Sequence, residues 1–225
     1  MMKVLKIIYK GIIVICPWKL KRYLLVKFLK YEIADSAYIG LSWFFPNKLI
    51  MLANAKVGHF NVAIHLQSIQ MGEYSIIGRN NWITGHPANS RVFFMHQHER
   101  EGKLLLGKHS AITKYHLIDC TNTIEFGEYT TLAGYYSQLL THSIDLKENR
   151  QDSNKIKIGN YCMLGTNVVI LGGATLPNNS ILGAKALLNK IYDDEWTLYG
   201  GVPAKPIGKI DKDYKYFTRE SGIVN

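Results

Sequence analysis

Aliphatic residues recur at every sixth position near the end of this chain. Ile158, Leu164, Ile170, Leu176, Leu182 and Leu188 keep that spacing without a miss. Two places ahead of these beats stand Cys162, Val168, Ala174, Ser180 and Ala186, compact residues apart from the larger Val168. Gly159, Gly165 and Gly183 directly follow a beat. A helix repeats every 3.6 residues and a strand every two, so neither alone explains the pattern. A fixed six predicts a hexapeptide β-helix: each hexapeptide gives one short strand and one corner, and three close a triangular coil. The aliphatic beat points inward and stacks on the same beat one coil later.

The beat also runs earlier, in other registers. Ile33, Ile39, Phe45, Met51, Val57, Ala63 and Ile69 keep it, and a two-residue slip leads to Met71, Ile77 and Ile83. After a break come Leu106, Ile112, Ile118 and Ile124, then a second slip to Phe126 and Leu132. A slip of two keeps side-chain alternation in phase, so inside residues stay inside. The chain is 47% hydrophobic, which supplies a few hits by chance but not so many followed by glycine. Asn80–Asn81, Asn167 and Asn178–Asn179 suit corners, because Asn tolerates left-handed backbone. The expected fold is all-β, a parallel β-helix over residues 32–190, with a helical segment at 1–31 and a cap at 191–225. A stack of coils contacts only its neighbours and needs covered ends. Trp196, Tyr199, Tyr214, Tyr216 and Phe217 fit a tail that covers the last coil and a subunit boundary.

Charge changes the picture at the N-terminus. Residues 1–31 hold Lys3, Lys6, Lys10, Lys19, Lys21, Arg22, Lys27 and Lys30 and no acid, which is +8 of a total of +10. Aliphatic and aromatic residues separate them, and Pro17 should divide the segment into two short helices. The apolar run Ile12–Cys16 is too short to cross a bilayer, which takes about 20 residues. No long apolar stretch with a cleavage site marks a secretory signal. Two roles fit and do not exclude each other: a cap on the first coil with lysines facing solvent, or a basic amphipathic surface against anionic membrane. Nucleic acid is not expected as a partner, since no reading motif accompanies the basic residues. Cys16, Cys120 and Cys162 are odd in number and lack a CxxC, which argues against a disulfide framework. The expected location is the cytoplasm, with peripheral contact at the inner membrane face.

Two segments lose the beat, residues 87–104 and residues 143–157. Loops thrown out of a rigid scaffold commonly carry function. The first contains Phe93, Phe94, Met95, His96 and His98, a possible acceptor wall or plain loop packing. The second follows Thr141-His142 directly.

Four stretches resemble the hexapeptide-repeat acyltransferases, the left-handed β-helix family of the galactoside, maltose and polysaccharide O-acetyltransferases. Thr141-His142-Ser143-Ile144-Asp145, with Glu148 and Arg150, is similar to the family's catalytic-histidine loop. The coil Ile158–Ile170, the coil Leu182–Lys190 and the closing Gly201-Val202-Pro203-Ala204-Lys205 match the following parts. The resemblance implies a left-handed β-helix and acyl transfer. It implies His142 as general base, for which an imidazole is suited by its ordinary pKa near 6.5. The other seven histidines are assigned surface or packing roles. Asp145 or Glu148 could orient the ring, although solvated loop charges explain both. It further implies acetyl-CoA as acyl donor, held between subunits of a homotrimer by Thr166, Ala184, Asn189 and Lys190. Asn189, Val202 and Gly208 depart from the usual pattern, with Lys205 and Lys209 adjacent to the last.

The acceptor follows less directly. A sugar hydroxyl in cell-surface polysaccharide or its precursor is the leading expectation, and an amino-sugar N-acetyltransferase uses the same parts. A non-enzymatic β-helix scaffold is the reading from another class. A β-helix zinc lyase would need three histidines on one metal, typically with His-x4-His, and the chain has no such pair. No metal is expected.

Overall fold

The computed structural model describes residues 2–87, 90 and 92–222, with residues 2–4 as backbone alone. The six-residue beat closes into a three-sided stack of parallel strands, and each beat forms an inward column. On the first face Ile33, Met51, Met71, Leu106, Phe126, Ile158 and Leu176 stand in register. On the second the column is Ile39, Val57, Ile77, Ile112, Leu132, Leu164, Leu182 and Tyr199. The third runs Phe44, Ala63, Ile83, Ile118, Leu139, Ile170 and Leu188. All of these are buried, so the core is one continuous apolar rod.

Two details differ from the sequence reading, and the slips between registers agree with it. The beat placed at Phe45 falls on Phe44, while Phe45 is buried beside it with the Lys10 ammonium 4.9 Å from its ring centre. The two-residue slips keep the phase, as expected. Ile69 and Met71 both point inward from one longer strand, Ser68–Met71, as do Ile124 and Phe126 in the strand Ile124–Phe126. The beat disappears after Leu132 because the next corner is one residue longer. Gly134 turns it at φ 68°, and the column resumes at Leu139 instead of at the sixth position.

Pro17 divides the N-terminus into α1 (Met2–Ile15) and α2 (Trp18–Leu29). The helix α2 stops where Lys30 turns left-handed at φ 58° and its N–H donates to the Leu25 carbonyl. Ile13 and Leu25 are buried in the common core, and Arg22 donates to the Ile33 carbonyl at 2.6 Å, so the pair covers the first coil. Lys21 breaks the expectation that these lysines face solvent. Its ammonium is buried and donates to the carbonyls of Gly40 at 2.6 Å and Val14 at 3.4 Å. Burial without a counter-charge pulls its pKa down to about 8.

At the other end the second sheet continues past Lys190. Thr197–Gly200 adds a parallel strand and Lys205–Lys209 pairs back antiparallel to it, which closes the edge. The tail then does more than cover the last coil. It runs back along one corner: Tyr216 donates to the Cys162 carbonyl, Arg219 to the Tyr129 carbonyl, and the Gly222 N–H to His109. Below it Tyr74, His109, Tyr129 and Tyr161 stack face to face at 4.6–4.9 Å, one ring per coil.

Candidate active site

Two insertions leave the stack from neighbouring coils and meet over one corner. The first follows the strand Trp82–Thr84 and returns at Lys103–Leu106. Within it Ala88, Asn89 and Arg91 lie outside the described residues. The second is an antiparallel hairpin, His142–Asp145 paired with Arg150–Ser153. It carries no apolar alternation: four of its eight paired residues are exposed, and the buried one, Ser153, is polar. Gln97 joins the two, donating to Asp152 at 2.7 Å and to the Ser153 carbonyl at 2.8 Å. Arg100 anchors the first from beneath. Its buried guanidinium donates to the carbonyls of His86, Thr121 and Pro87 and lies 4.4 Å from the Phe94 ring centre.

His142 begins the hairpin. Its Nδ1 sits 2.7 Å from Oδ2 of Asp119, which ends the strand Leu117–Asp119 one coil earlier. Register places Asp119 beside Leu140, so the coil spacing itself brings the carboxylate under the imidazole. Asp119 is held by more than the histidine. Thr121 donates to Oδ1 through its hydroxyl at 2.6 Å, and the N–H groups of Thr141 and His142 donate to Oδ2 at 3.1 and 3.2 Å. Burial pushes the Asp119 pKa up, but hydrogen bonds from His142, Thr121 and Thr141 outweigh it and leave the carboxyl below its ordinary value. An ionised carboxylate only accepts, so Nδ1 must carry the proton and Nε2 is left as a free base. The Asp119 hydrogen bond raises the His142 pKa against a smaller opposing effect of burial. The His142 side chain is 45% exposed and that of Asp119 10%, an arrangement with a reachable base and a sheltered orienting group.

The exposed edge of the imidazole faces a cleft of about 190 Å³ lined by His86, Phe93, Phe94, Thr121, His142 and Gln151. Phe94 is set edge-on to His142 at 6.4 Å. A neighbouring cleft of about 490 Å³ shares Phe93, Phe94 and Gln151 and adds Ile144, Asn149 and Arg150. Asp145, considered for orienting the ring, instead accepts the N–H groups of Lys147 and Glu148 and lies 3.5 Å from Arg150. Among the described residues, no group of three or more His, Cys, Asp or Glu side chains is placed to hold a metal ion.

The four residues expected at the donor are divided between two corners. Asn189 and Lys190 follow the last strand of the third sheet, Leu187–Leu188, and share the corner of His142 two coils on. Thr166 and Ala184 lie at the opposite edge of that sheet. The coils are tightly stacked there: a Cβ built on Gly165 would meet the Ala184 nitrogen at 2.6 Å. Lys190, Lys205 and Lys209 are exposed. Sequence reasoning missed Asp119, His86 and Arg100. Asp119 could have been found by extending the beat through the longer coil, since Ile118 pairs with Leu139.

No protein-family model and no curated protein matches the chain. Solved structures do. The polysialic acid O-acetyltransferase OatWY superposes with a TM-score of 0.52 at 17% identity, over 80% of this chain and 84% of that one. A variant of AntD, an N-acyltransferase from Bacillus cereus solved with dTDP and coenzyme A, gives 0.52 at 13% identity, over 81% and 87%. A hexapeptide-repeat-containing acetyltransferase from Vibrio cholerae O1 biovar eltor, solved with acetyl coenzyme A, matches at 25% identity with a TM-score of 0.45. That match covers 48% of this chain and 61% of that one, so this chain spans less than two thirds of its length. The likenesses to OatWY and AntD establish the fold as the left-handed parallel β-helix of hexapeptide repeats.

Proposed function

We propose that this protein is an acetyl-CoA-dependent O-acetyltransferase acting on a sugar hydroxyl, in cell-surface polysaccharide or its precursor. The observation that carries the reading is the 2.7 Å His142–Asp119 pair at the mouth of an aromatic-lined cleft. His142 Nε2 takes the acceptor hydroxyl proton as the oxygen attacks the thioester carbonyl. The acetyl group moves to oxygen, the carbon–sulfur bond breaks, and the proton leaves with the thiol. Asp119 holds the ring in the required tautomer and stabilises the imidazolium that forms. Phe93, which is exposed, offers an apolar face for a sugar ring, with buried Phe94 behind it.

In this reading Thr166 and Ala184 would line the extended donor arm, and Asn189 and Lys190 would serve its nucleotide end as a polar group and a point charge for phosphate. A single chain puts these pairs at two corners, so a donor site made where two subunits meet would unite them. A cyclic trimer, expected from the resemblance, joins one corner of each prism to another corner of the next.

Incubation with radiolabelled acetyl-CoA, neutral and acidic polysaccharides, and amino sugars tests the reading. Base-labile label on polysaccharide, lost in His142→Ala, supports it. Label that resists mild base and appears only on amino sugars would turn the assignment to N-acetyl transfer, a form of the N-acyl transfer for which AntD is named. No transfer to any acceptor by a folded oligomer would leave a scaffold.

A further inference from the structure

The first helix has a wide apolar face, and the β-helix covers only part of it. Tyr9, Ile13 and Val14 pack onto the core. Leu5, Ile8, Ile12 and Ile15, spaced three, four and three, form a stripe beside them, and each is more than half exposed. A surface helix of a soluble protein normally carries polar residues there. In α2 and at its C-terminal cap the exposed positions include Lys19, Lys27 and Lys30, with Tyr23 and Phe28 between them. Among the described residues Arg22 reaches an acid, Asp35, whereas Lys19, Lys27 and Lys30 form no ion pair. Lys27 donates only to the Tyr23 hydroxyl, at 2.7 Å.

We propose that the α1–α2 cap is a docking surface for an anionic lipid bilayer, with Leu5, Ile8, Ile12 and Ile15 entering the interface and Lys19, Lys27 and Lys30 meeting headgroup charge. The alternative occupant, a second copy of the same stripe, would bring two strongly basic segments together with no acid in either to offset them. An anionic surface supplies the missing charge and takes up the aliphatic stripe together. Neither helix is long and apolar enough to cross a membrane, so contact is peripheral. His142 lies on the fifth coil of the stack, four coils and roughly 20 Å from the capped end at the usual strand separation. A bilayer bound at the cap would thus meet acceptors displayed some distance above it. The docking proposal does not depend on acyl transfer.

Flotation of the full chain with phosphatidylcholine vesicles, with and without phosphatidylglycerol, tests it. Binding should require phosphatidylglycerol and fall with salt. The triple variant Lys19→Gln, Lys27→Gln, Lys30→Gln should bind roughly a hundredfold more weakly, at about fivefold per lysine. The double variant Ile8→Asn, Ile12→Asn should lose flotation while keeping its sedimentation coefficient and its thermal midpoint. Equal binding to neutral vesicles, or none to either, overturns the proposal. A double variant that still floats but sediments as a smaller species overturns it as well, and assigns the stripe to contact between copies.

Discussion

A histidine on a solvent-facing hairpin is an indifferent base unless something fixes its ring, and here the fixing group comes from the coil before. Asp119→Asn keeps the shape but replaces an acceptor with an amide that can present its NH₂ to Nδ1. The expected loss in kcat is about 10²–10⁴-fold, the range ascribed to an oriented general base. The raised His142 pKa places the acid limb of the wild-type profile above about 6.5, and the variant's residual activity should show that limb at lower pH. An unmoved limb would mean that His142 is not the titrating base. The pair also links stability to pH. His142, raised on folding, contributes stability that is complete below its unfolded value and is lost as pH rises through the folded one. Asp119, lowered on folding, contributes above its unfolded value near 3.8 and loses that as pH falls through the folded one. Denaturant titrations should therefore show wild type and His142→Ala drawing closer as pH rises from about 6.5 through the raised folded value.

Short strands stacked at coil spacing leave little room at the corners, and some glycines mark where none remains. A Cβ on Gly78 would stand 1.9 Å from the Thr113 carbonyl oxygen, whereas one on Gly208 meets nothing within 4 Å. Gly78→Ala is expected to lower stability by about 3 kcal/mol, roughly 10 °C in thermal midpoint, with Gly208→Ala near wild type. Elsewhere the corners accept large residues in left-handed backbone. Tyr74, His109, Tyr129 and Tyr161 all have φ between 53° and 56°, and that conformation directs their rings outward into a common stack. Arg219 lies over Tyr129, Tyr161 and Tyr216, so Arg219→Ala should open the tail to protease and lower stability by about 1 kcal/mol. This ladder shows where sequence reading stops. Inward columns were legible because burial demands an aliphatic at each beat. Asn80, Asn167 and Asn179 were legible as corners because Asn is commonplace there, and all three are left-handed. Tyrosine and histidine corners were not, since their stabilisation comes from partners a coil away. The hairpin was hidden because it buries no apolar face. Asp119 was hidden because one additional residue at the Gly134 corner moved the column that would have placed it beside His142.

At the scale of the molecule the prism carries the His142–Asp119 pair at one corner and Thr166 with Ala184 at another. Sites shared between subunits predict complementation. Chains carrying His142→Ala and chains carrying Ala184→Trp should each be inactive alone, and co-refolded mixtures should regain roughly a quarter of the activity if subunits assort at random. No recovery would put donor and base within one chain. The central claim is that this β-helix binds acetyl-CoA and spends its thioester through His142. Calorimetry with acetyl-CoA, paired with thioester turnover on a saccharide acceptor, tests it in wild type and His142→Ala. Binding by both proteins with turnover lost only in the variant is the expected result. Absence of binding by both, or undiminished turnover in His142→Ala, would contradict it.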